Sequence, residues 1–574
     1  MPTTNININE KANLIWAIAD KLTGPYKPHE YGEVILPLTV IRRFDCILEE
    51  TKEAVVQKNK ELNIEVKDPI LRKVSGHSFY NVSPFTFKKL LDDPDNIEAN
   101  FRSYLNGFSE NVRNIIERFK FDNHISYLSE KNLLYIVLEE FAKPKADMHP
   151  NKISNIEMGY IFEEIIRRFS EAHNEDAGQH YTPREVIGLM VNILFAEDSG
   201  ILSGNAIAKT IYDPACGTGG MLTVSEDHLR ILNKNAQLIC FGQEINPPTF
   251  AICKSDILIK GANADYVKEG NTLSGDMFID DKFDYIMSNP PFGREWKIEK
   301  DAVEKEQKQG FAGRFGPGVP AISDSQMLFL LTAISKMKDS KSGGSRIAII
   351  HNGSPLFTGD AGSGPSEIRK YIFENDLLDA IIAMPNDIFY NTGIATYIWV
   401  LSNKKMAHRK GKVQLINAND MYEKRRKSLG NKRNDIPKRY IDEITKIYGD
   451  FKETEVSKIF YNDEFGYSKI VVERPLLDNN GKPILKKDEK QPDSNLRDTE
   501  NVPLTEDINS YFVREVLPFA PDAWIDKSKT KIGYEIPFTR YFFKYNPPKH
   551  SSDIMAEIMD IEKDLDGTLK AVFE

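Results

Sequence analysis

The feature that most constrains the fold is an alternation, from about residue 150 onward, of short apolar segments with longer stretches of helical periodicity. "MLTVSEDHLRIL" and "SQMLFLLTAISKMK" are two of these helical stretches. Because parallel strands need a crossover between them, usually a helix, the alternation predicts an α/β, doubly wound, Rossmann-like and largely parallel sheet. The predicted strands are Thr210–Asp213, Gln237–Gly242, Phe283–Ser288, Arg346–His351, Leu378–Met384 and Thr396–Leu401.

The N-terminal part of the chain has a different pattern, since its apolar residues recur at helical spacing. "NEKANLIWAIADKL" places Leu14, Ile15, Ile18 and Leu22 on one helical face, with Asn9 as the predicted N-cap. "YGEVILPLTVIRRFDCILEE" and "KNLLYIVLEEFAK" are further predicted helices. These segments predict an N-terminal helical domain that packs against, or docks onto, DNA or a partner.

The C-terminal part predicts a linker followed by a helix. "DNNGKPILKKDEKQPDSNLRDTEN" is polar and rich in turn formers. In the last stretch, apolar residues at steps of four and three form one stripe: Ile554, Ile558, Ile561, Leu565, Leu569 and Val572. Such a helix can fold back onto its own domain or pair with a helix of another subunit, and the pattern is compatible with both. The predicted domains are therefore residues 1–150 (helical docking), 151–475 (catalytic) and 476–574 (linker and helical tail for subunit assembly).

The charge balance bears on how this chain could bind nucleic acid. It has 75 basic and 85 acidic side chains, a formal charge of −10, so its overall field does not attract a polyanion. The exception is a basic stretch over residues 404–439, centred on "KRRKSLGNKR". We interpret this stretch as a solvated loop or helix face, with contact to a DNA backbone as the less favoured alternative. If the chain acts on nucleic acid, we expect a partner to supply much of the binding.

Cysteine usage predicts the compartment. Cys46, Cys216, Cys240 and Cys253 have no metal-ligand spacing, and reduced thiols of a cytoplasmic protein are the default interpretation. The first residues do not combine a basic segment with an apolar core, and no later segment is apolar enough to span a bilayer. We therefore predict a cytoplasmic protein without a metal site or a membrane segment.

The glycine-rich segment "IYDPACGTGGML" predicts a ligand-binding turn between a strand and a helix. Asp213 ends the strand and is predicted to contact the ligand of this turn. Gly217, Gly219 and Gly220, with Thr218 among them, allow the backbone to turn tightly and approach that ligand closely. The helix N-terminus that follows suits a carboxylate or a phosphate. No Lys-Ser/Thr pair closes the loop, which excludes a P-loop, and the glycine spacing differs from the dinucleotide fingerprint.

Two polar residues after the next predicted strands indicate what that ligand is. Glu244, in "ICFGQE", can accept hydrogen bonds from ribose hydroxyls. Asn271, in "EGNTL", carries an amide that can bind an adenine edge. A carboxylate, a ribose and an adenine are the parts of S-adenosylmethionine. The order of these segments therefore predicts S-adenosyl-L-methionine as the cofactor.

The stretch "AGQHYTPREV" comes before the first predicted strand. Thr182 and Pro183 predict a helix start, with threonine as the N-cap and proline at the first helical position. His180 and Tyr181 could instead pack across the cofactor. His180 has no second ligand at metal-binding spacing, so it is not predicted to bind a metal.

The segment "SNPPFG" predicts the chemistry. Two adjacent prolines cannot donate to a sheet ladder, so the preceding strand must end here. The side-chain oxygen of Asn289 and the carbonyl of Pro290 can both accept hydrogen bonds from an exocyclic amino group, and the consecutive prolines, Pro290 and Pro291, fix the direction of that carbonyl. Phe292 offers a face on which a flipped base can stack. The pattern predicts direct transfer of a sulfonium methyl group to nitrogen, without a metal or a covalent enzyme intermediate.

With these segments in place, the chain resembles the modification subunit of type I restriction–modification systems, within the N6-adenine DNA methyltransferases. The resemblance covers nearly the whole chain and rests on "GQHYTPREV", "DPACGTGGML", "GNTL", "NPPFG" and "AMPNDIFYNTGIATYIWVL", together with blocks in both terminal regions. It implies the sheet of an S-adenosylmethionine-dependent methyltransferase and adenine in double-stranded DNA as the target. It also implies a specificity subunit that chooses the sequence, two modification subunits to each specificity subunit, and a restriction subunit that can join.

Carried onto this sequence, the resemblance assigns cofactor contacts and catalysis to named positions. The implied cofactor contacts are Gln179, His180, Tyr181, Thr182, Pro183, Arg184, Thr218, Gly219, Gly220 and Glu244. The implied catalytic residues are Asn289, Pro290, Pro291 and Phe292. The charged and then glycine-rich segment Arg294–Pro320 is predicted to be a mobile loop that orders over the flipped base.

Two other functions are compatible with the same residues. A glutamine amide of a protein also fits an Asn-Pro-Pro pocket, so protein glutamine methylation is one alternative. A catalytically silent assembly subunit with a cofactor fold is the other. Restriction by this chain is not predicted, because it has neither a P-loop nor a convincing nuclease carboxylate cluster.

Overall fold

A computed structural model describes residues 8–154, 157–159, 161–162, 164–166, 168, 182–204, 207–390, 392–478, 480–486, 489–545 and 548–573. These residues form two compact units, Met1–Ile536 and Pro537–Glu574. Within the described ranges no helix is both long and apolar enough to cross a lipid bilayer.

The N-terminal residues fold into helices, as the sequence predicts. The helix Tyr31–Leu48 is almost entirely buried, including its charged residues Arg42, Arg43 and Asp45, so it forms the centre of this layer. Asn9 is not an N-cap, because the first helix already begins at Ile8. The helices are Ile8–Ala19, Tyr31–Leu48, Lys52–Glu61, Asp68–Ser75, Phe87–Leu90, Ile97–Asn106, Glu110–Arg118, Asp122–Glu130 and Leu134–Ala142.

A large sheet follows in the chain, and all six predicted strands are present in it. The sequence-based prediction missed a short strand at one edge of the sheet and, at the other side, the edge strand and its buried neighbour. Among the described residues its strands are β1 (Ala208–Asp213), β2 (Gln237–Glu244), β3 (Val267–Glu269), β4 (Tyr285–Ser288), β5 (Arg346–Asn352), β6 (Leu378–Ala383), β7 (Thr396–Ser402), β8 (Lys412–Asn417) and β11 (Ser457–Tyr461). Two further strands, β9 (Glu423–Leu429) and β10 (Lys432–Asp435), form a separate pair.

The strand order within the described residues is β11-β8-β6-β7-β5-β4-β1-β2-β3. β1 pairs in parallel with β2 on one side and with β4 on the other, so the chain reverses its winding direction between β1 and β4. β7 is antiparallel to both of its neighbours, β5 and β6. The fold is therefore a doubly wound α/β sheet with a topological switch point beside β1.

Helices cover this sheet, which is why its central strands β5, β6 and β7 are buried and mostly apolar. Leu38 and Phe44 of the N-terminal helices belong to the same hydrophobic core as Val191, Ile350 and Ile398. The N-terminal helices and the sheet therefore share one continuous core. The helices of this region are Arg184–Ala196, Ser199–Leu202, Gly220–Leu232, Pro247–Ile259, Lys300–Gln307, Gln326–Ser335, Ser354–Phe357, Gly364–Glu374 and Lys438–Asp450.

The basic stretch that was expected to be a loop or a helix face is instead a hairpin of β9 and β10. Gly430, with φ of 57°, and Asn431 form the two-residue turn between the paired residues Leu429 and Lys432. Glycine at the first central position is what a type II′ turn requires. In the sequence, the dipeptide Gly-Asn between two extended segments is the pattern that indicates such a hairpin.

The range expected to be a linker also contains strands. β12 (Gly466–Glu473), β15 (Asp498–Pro503) and β16 (Trp524–Tyr534) form a three-stranded antiparallel sheet in the order β15-β12-β16, and β13 (Leu485–Lys486) pairs with β14 (Glu489–Lys490). The strand residues of β15 and β16 are mostly exposed and polar, so they lack the apolar alternation that identifies a strand in sequence. The short helix Ile508–Tyr511 lies between β15 and β16 in the chain.

The C-terminal unit consists of the helices Phe538–Phe542 and Ser551–Phe573. The second of these is the helix that the terminal apolar stripe predicts. Ile554, Ile558, Ile561 and Leu565 of the stripe are between 45% and 64% exposed. An apolar stripe this exposed is typical of a surface that another helix covers.

Candidate active site

The carboxyl ends of β1, β2, β3 and β4 meet at one edge of the sheet and line one cavity. Ala215 follows β1, Glu244 ends β2, Asn271 follows β3 and Pro291 follows β4; Arg294 also lines the cavity. In open α/β sheets, ligands bind outside the carboxyl ends of the strands beside the switch point. The structure therefore brings together Glu244, Asn271 and Pro291, which were predicted as site residues from three separate segments of the sequence.

The glycine-rich loop forms the turn that its sequence predicts. Gly217 and Gly219 have φ values of 53° and 82°, which side-chain-bearing residues rarely adopt. A Cβ atom on Gly219 would also lie 2.6 Å from the Sγ atom of Cys253. Gly219 precedes the helix that begins at Gly220, and no side chain of the described residues caps it. The first backbone N–H groups of that helix are thus available to an anionic ligand, and Thr218 is half-buried beside them.

Glu244 holds the loop in place. Its Oε2 atom accepts a hydrogen bond from the backbone N–H of Gly217 at 2.8 Å, and its Oε1 atom accepts one from Asn246 N–H at 2.7 Å. A carboxylate has about four lone-pair sites. Glu244 can therefore accept further hydrogen bonds from two hydroxyls of a ligand in the cavity.

Asp213, which was predicted to contact the cofactor, lies beneath the loop instead. Its side chain is 2% exposed. The Oδ1 atom accepts hydrogen bonds from Ala215 N–H at 2.9 Å and from the Ser288 hydroxyl at 2.8 Å. Ser288 directly precedes the Asn-Pro-Pro-Phe segment. Asp213 thus joins the glycine-rich loop to the end of β4 and positions both.

Burial raises the pKa of Asp213 to about 7, with a contribution from the charge of Glu244. A carboxyl group with a raised pKa in the folded state stabilises the fold below its unfolded pKa, about 3.9, and this contribution is lost as the pH rises through about 7. Asp213→Asn removes that titration. Because both hydrogen bonds end on Oδ1, the amide oxygen of asparagine can accept both.

We therefore expect the Asp213→Asn variant to gain stability relative to the wild type as the pH rises from 4 to 8, by up to about 4 kcal/mol. The measurement is the melting temperature of both proteins across this range. Other titrating groups are common to the two proteins and cancel in the difference. A difference that does not change with pH would contradict a protonated Asp213 in the folded state.

Asn271 is more constrained than the sequence suggested. Its Oδ1 atom accepts a hydrogen bond from Leu273 N–H at 3.0 Å within its own turn, and its Nδ2 atom donates one to Glu299 at 2.6 Å. One amide hydrogen remains for a ligand, because an amide nitrogen carries two. Asn271 can therefore donate to an adenine ring nitrogen but has its oxygen already engaged.

The segment Arg294–Pro320, predicted to be a mobile loop, is packed along much of its length. Trp296 and Phe315 are fully buried, and residues Lys300–Gln307 form a helix. Arg314 donates hydrogen bonds to the backbone carbonyl of Thr272 at 2.7 Å and to Glu306. These contacts attach the segment to the loop after β3. The segment is therefore packed against the domain along much of its length.

Thr182 has a role that the sequence did not predict. The helix it was expected to cap begins at Arg184, with Pro183 at the N-cap position and no side-chain cap. The Thr182 hydroxyl instead accepts a hydrogen bond from the Nδ2 atom of Asn289 at 2.9 Å. This bond fixes the orientation of the Asn289 amide. Arg184 donates to the carbonyl of Gly220 at 3.2 Å and so reaches the glycine-rich loop.

The Oδ1 atom of Asn289 is buried and has no hydrogen-bond partner among the described residues. A buried acceptor without a partner costs about 1–3 kcal/mol. A ligand that supplies the missing donor is one explanation for such a group at the edge of a cleft. With Nδ2 held by Thr182, Oδ1 is the atom that remains to accept a hydrogen bond from a substrate.

Phe292 lies beside a second aromatic ring that the sequence-based analysis did not single out as a site residue. Its ring packs edge-to-face with Phe389 at a centroid distance of 6.3 Å. Phe389 is buried, whereas Phe292 is partly exposed. Phe389 lies in the "AMPNDIFYNTGIATYIWVL" block, on which the family resemblance partly rests. The sequence pattern did not assign a role to any single residue of that block. One side of the Phe292 ring is thus packed against Phe389.

The remaining predicted residues divide into two groups. Pro290 is buried and Pro291 is partly exposed at the cavity. Gln179, His180 and Tyr181 lie outside the described residues. Within those residues no cluster of three or more histidine, cysteine or acidic side chains is arranged to hold a metal ion.

Two family models match this chain. The model of N-6 DNA methylases matches residues 154–481, more than half of the chain. The model of the HsdM N-terminal domain matches residues 11–141.

Individual proteins with similar sequences carry related names. The methylase subunit of the type I restriction enzyme MjaIX from Methanocaldococcus jannaschii is 27% identical over 493 residues, which cover 80% of each chain. The methylase subunit of the type I restriction enzyme HindI from Haemophilus influenzae is 29% identical over 264 residues, 46% of this chain and 54% of that protein.

A solved structure supports the fold. The methyltransferase subunit of a type I restriction–modification system from Streptococcus thermophilus superimposes with a TM-score of 0.63 at 20% identity. The superposition covers 80% of this chain and 97% of that one. At this level of identity the likeness establishes the shared architecture.

Proposed function

Because the chain belongs to the N-6 DNA methylase family, we propose that it transfers a methyl group from S-adenosylmethionine to the N6 amino group of adenine in DNA. We further propose that it does so as the modification subunit of a type I restriction–modification complex. The observation that carries this proposal is the buried Oδ1 atom of Asn289, which lacks a partner among the described residues at the end of β4.

The chemistry follows from the acceptors at this position. An adenine amino group donates one hydrogen bond to Asn289 Oδ1 and one to the carbonyl of Pro290. Both protons are then held in fixed directions, so the nitrogen lone pair is less conjugated with the ring and is available for attack. S-adenosylmethionine, when bound, supplies the methyl group as a sulfonium substituent. The amino nitrogen gains that methyl group and releases one proton to solvent.

The cavity residues fit the parts of this cofactor. Glu244 retains acceptor capacity for the two ribose hydroxyls after binding the Gly217 N–H. The uncapped helix N-terminus at Gly219 suits the carboxylate of the amino-acid part. The free amide hydrogen of Asn271 can bind a ring nitrogen of the cofactor adenine. Each part of the molecule thus has a matching group, either lining the cavity or in the glycine-rich loop that Glu244 holds.

The target base must leave the duplex to reach Asn289. Extrusion of a base costs a few kcal/mol, and stacking on an aromatic ring recovers about 1–3 kcal/mol. Phe292, supported by Phe389, is the ring that we propose to stack on the extruded adenine. This arrangement places the amino group of the base beside the acceptors at the end of β4.

The proposal includes a specificity subunit that chooses the DNA sequence. The negative net charge of the chain favours a partner that contributes to DNA binding. The exposed apolar stripe of the helix Ser551–Phe573 is suited to pairing with a helix of that partner.

We propose two copies of this chain for each specificity subunit, with a restriction subunit able to join. The free cysteines are consistent with action in the cytoplasm.

Co-expression with the neighbouring reading frames, followed by mapping of modified bases in the host DNA, tests the proposed function. We expect N6-methyladenine in a motif of two separated parts. The same co-expression with an Asn289→Ala variant is the control and should leave the motif unmethylated. Incubation of the purified complex with radiolabelled cofactor separates the alternatives: label in protein instead of DNA, or cofactor binding without any transfer, would contradict the proposal.

A further inference from the structure

The hairpin of β9 and β10 is a strongly basic element of this acidic chain. Residues 423–435 contain six basic side chains and two acidic ones. The rest of the chain therefore carries a larger negative charge than the chain as a whole. A cluster of positive charge on a negative protein attracts a polyanion locally.

The hairpin is fixed beside the proposed base-binding site by backbone contacts. Asn431 N–H donates to the carbonyl of Tyr390 at 2.8 Å, and Arg433 N–H donates to the carbonyl of Asp387 at 2.8 Å. Asn434 donates from its side-chain amide to the carbonyl of Asn386 at 2.9 Å. The contacted residues surround Phe389 in the chain, and Phe389 packs against Phe292. The hairpin thus lies next to the ring proposed to hold the base.

A buried cation joins the hairpin to the other side of the site. Lys432 is 1% exposed and forms ion pairs with Glu185 and with Asp435, and it donates to the carbonyl of Ile388 at 3.2 Å. Glu185 lies in the helix that begins directly after Thr182 and Pro183. Because Thr182 holds the Asn289 amide, the hairpin and the catalytic segment are connected through a short run of contacts.

The acidic side chains of the hairpin are already used by particular cations. Asp435 binds Arg425 at 2.6 Å, and Glu423 binds Arg439 at 2.7 Å. Four exposed cations of the hairpin form no ion pair within the described residues: Lys424, Arg426, Lys427 and Arg433. These four side chains carry the uncompensated charge.

Resting on the proposed function, we propose that this hairpin binds the phosphate backbone of the DNA beside the extruded adenine. A base can enter the site only if the adjoining duplex lies at its opening, which brings phosphates to the elements around Phe292. Exposed lysine and arginine side chains on a rigid element position a duplex without reading its sequence. The hairpin therefore sets the position of the DNA, and sequence selection is left to another element.

The test is a variant in which Lys424, Arg426, Lys427 and Arg433 are all replaced by glutamine, in the full chain co-expressed with its neighbouring reading frames. The probe is a short duplex that carries the mapped methylation site, titrated at several salt concentrations. Each lost phosphate contact lowers the slope of log affinity against log salt by about 0.9. We expect the slope to fall by about 2–4 and the affinity at physiological salt to fall at least about tenfold.

A matched control removes the same charge elsewhere. Lys482, Lys486, Lys490 and Lys527 are also exposed and lie in the C-terminal sheet region; their joint replacement by glutamine should leave the slope within about one of the wild type. Cofactor affinity and melting temperature should be unchanged in both variants. The hairpin variant should weaken binding to duplexes with and without the mapped site by similar factors.

The outcomes separate this inference from the function on which it rests. An unchanged salt slope in the hairpin variant, while the wild-type complex methylates DNA, overturns the hairpin contact alone. An equal loss in the control variant overturns the assignment to the hairpin. Loss of the partner subunit from the hairpin variant on size-exclusion chromatography would show that the hairpin binds protein instead. A wild-type complex that methylates no DNA refutes the function itself.

Discussion

Replacing Asn289 by alanine should lower the rate of methyl transfer by at least about 10²- to 10³-fold, while cofactor affinity changes by no more than about threefold. The variant removes the Oδ1 acceptor, which in the described structure has no other partner. Asn289 is not among the residues proposed to bind the cofactor, which are Glu244 and the glycine-rich loop that it holds. Single-turnover methylation of the mapped duplex and calorimetric titration of the cofactor measure the two quantities.

Thr182 provides a graded control for this prediction. In a Thr182→Val variant the hydroxyl that orients the Asn289 amide is lost, but the Oδ1 atom is kept. We expect a smaller loss of rate than for Asn289→Ala, and recovery in Thr182→Ser, which restores the hydroxyl. If Asn289→Ala weakens cofactor binding as strongly as it slows transfer, the assignment of Asn289 to the target amino group is wrong.

Replacing Glu244 by alanine should weaken cofactor binding by about 10²-fold or more, because hydrogen bonds to a charged group contribute about 1.5–3 kcal/mol each. The variant also leaves the Gly217 N–H without the acceptor that orders the loop. Saturating cofactor should recover much of the transfer rate, because the acceptors at Asn289 are intact. The dissociation constant and the single-turnover rate at saturation are the measurements.

Glu269 offers a matched control for Glu244. It ends β3 in direct register with Glu244 in β2, and its carboxylate pairs with Arg118 at 3.1 Å. A Glu269→Gln variant should keep cofactor affinity within about threefold, because no bond to the glycine-rich loop is lost. Equal effects of the two variants would mean that general loss of negative charge at this edge, and not ribose binding by Glu244, decides affinity.

Local rules explain what the sequence predicted well. The strands β5, β6 and β7 are largely apolar segments, because a sheet covered on both faces buries nearly every side chain there. Gly219 adopts a backbone conformation that few other residues tolerate, and Pro290 and Pro291 end β4 because they cannot donate to a ladder. These effects act over a few residues, so they can be predicted without knowledge of the rest of the chain.

Where apolar burial is absent, the sequence-based prediction failed. β15 and β16 are polar, mostly exposed strands, and they lie in a range that was expected to be a linker. The basic hairpin of β9 and β10 was expected to be a loop or a helix face, because its charged residues show neither helical nor strand periodicity. β15 and β16 form because β12 satisfies their backbone groups, and β12 is distant in sequence. β9 and β10 are neighbours in the chain, and the signal that the prediction did not use was the Gly-Asn turn between them.

The sequence by itself determined the type of each central element, the glycine-rich turn and the segment that ends β4, because backbone sterics and apolar periodicity are local properties. Only the tertiary structure decided which side chains meet. Thr182 orients Asn289 across 107 residues of chain, and Phe389 packs against Phe292. Asp213, predicted to contact the cofactor, is buried beneath the glycine-rich loop. These contacts arise where the winding of the sheet brings separate strand ends to one edge, and no short-range pattern encodes that meeting.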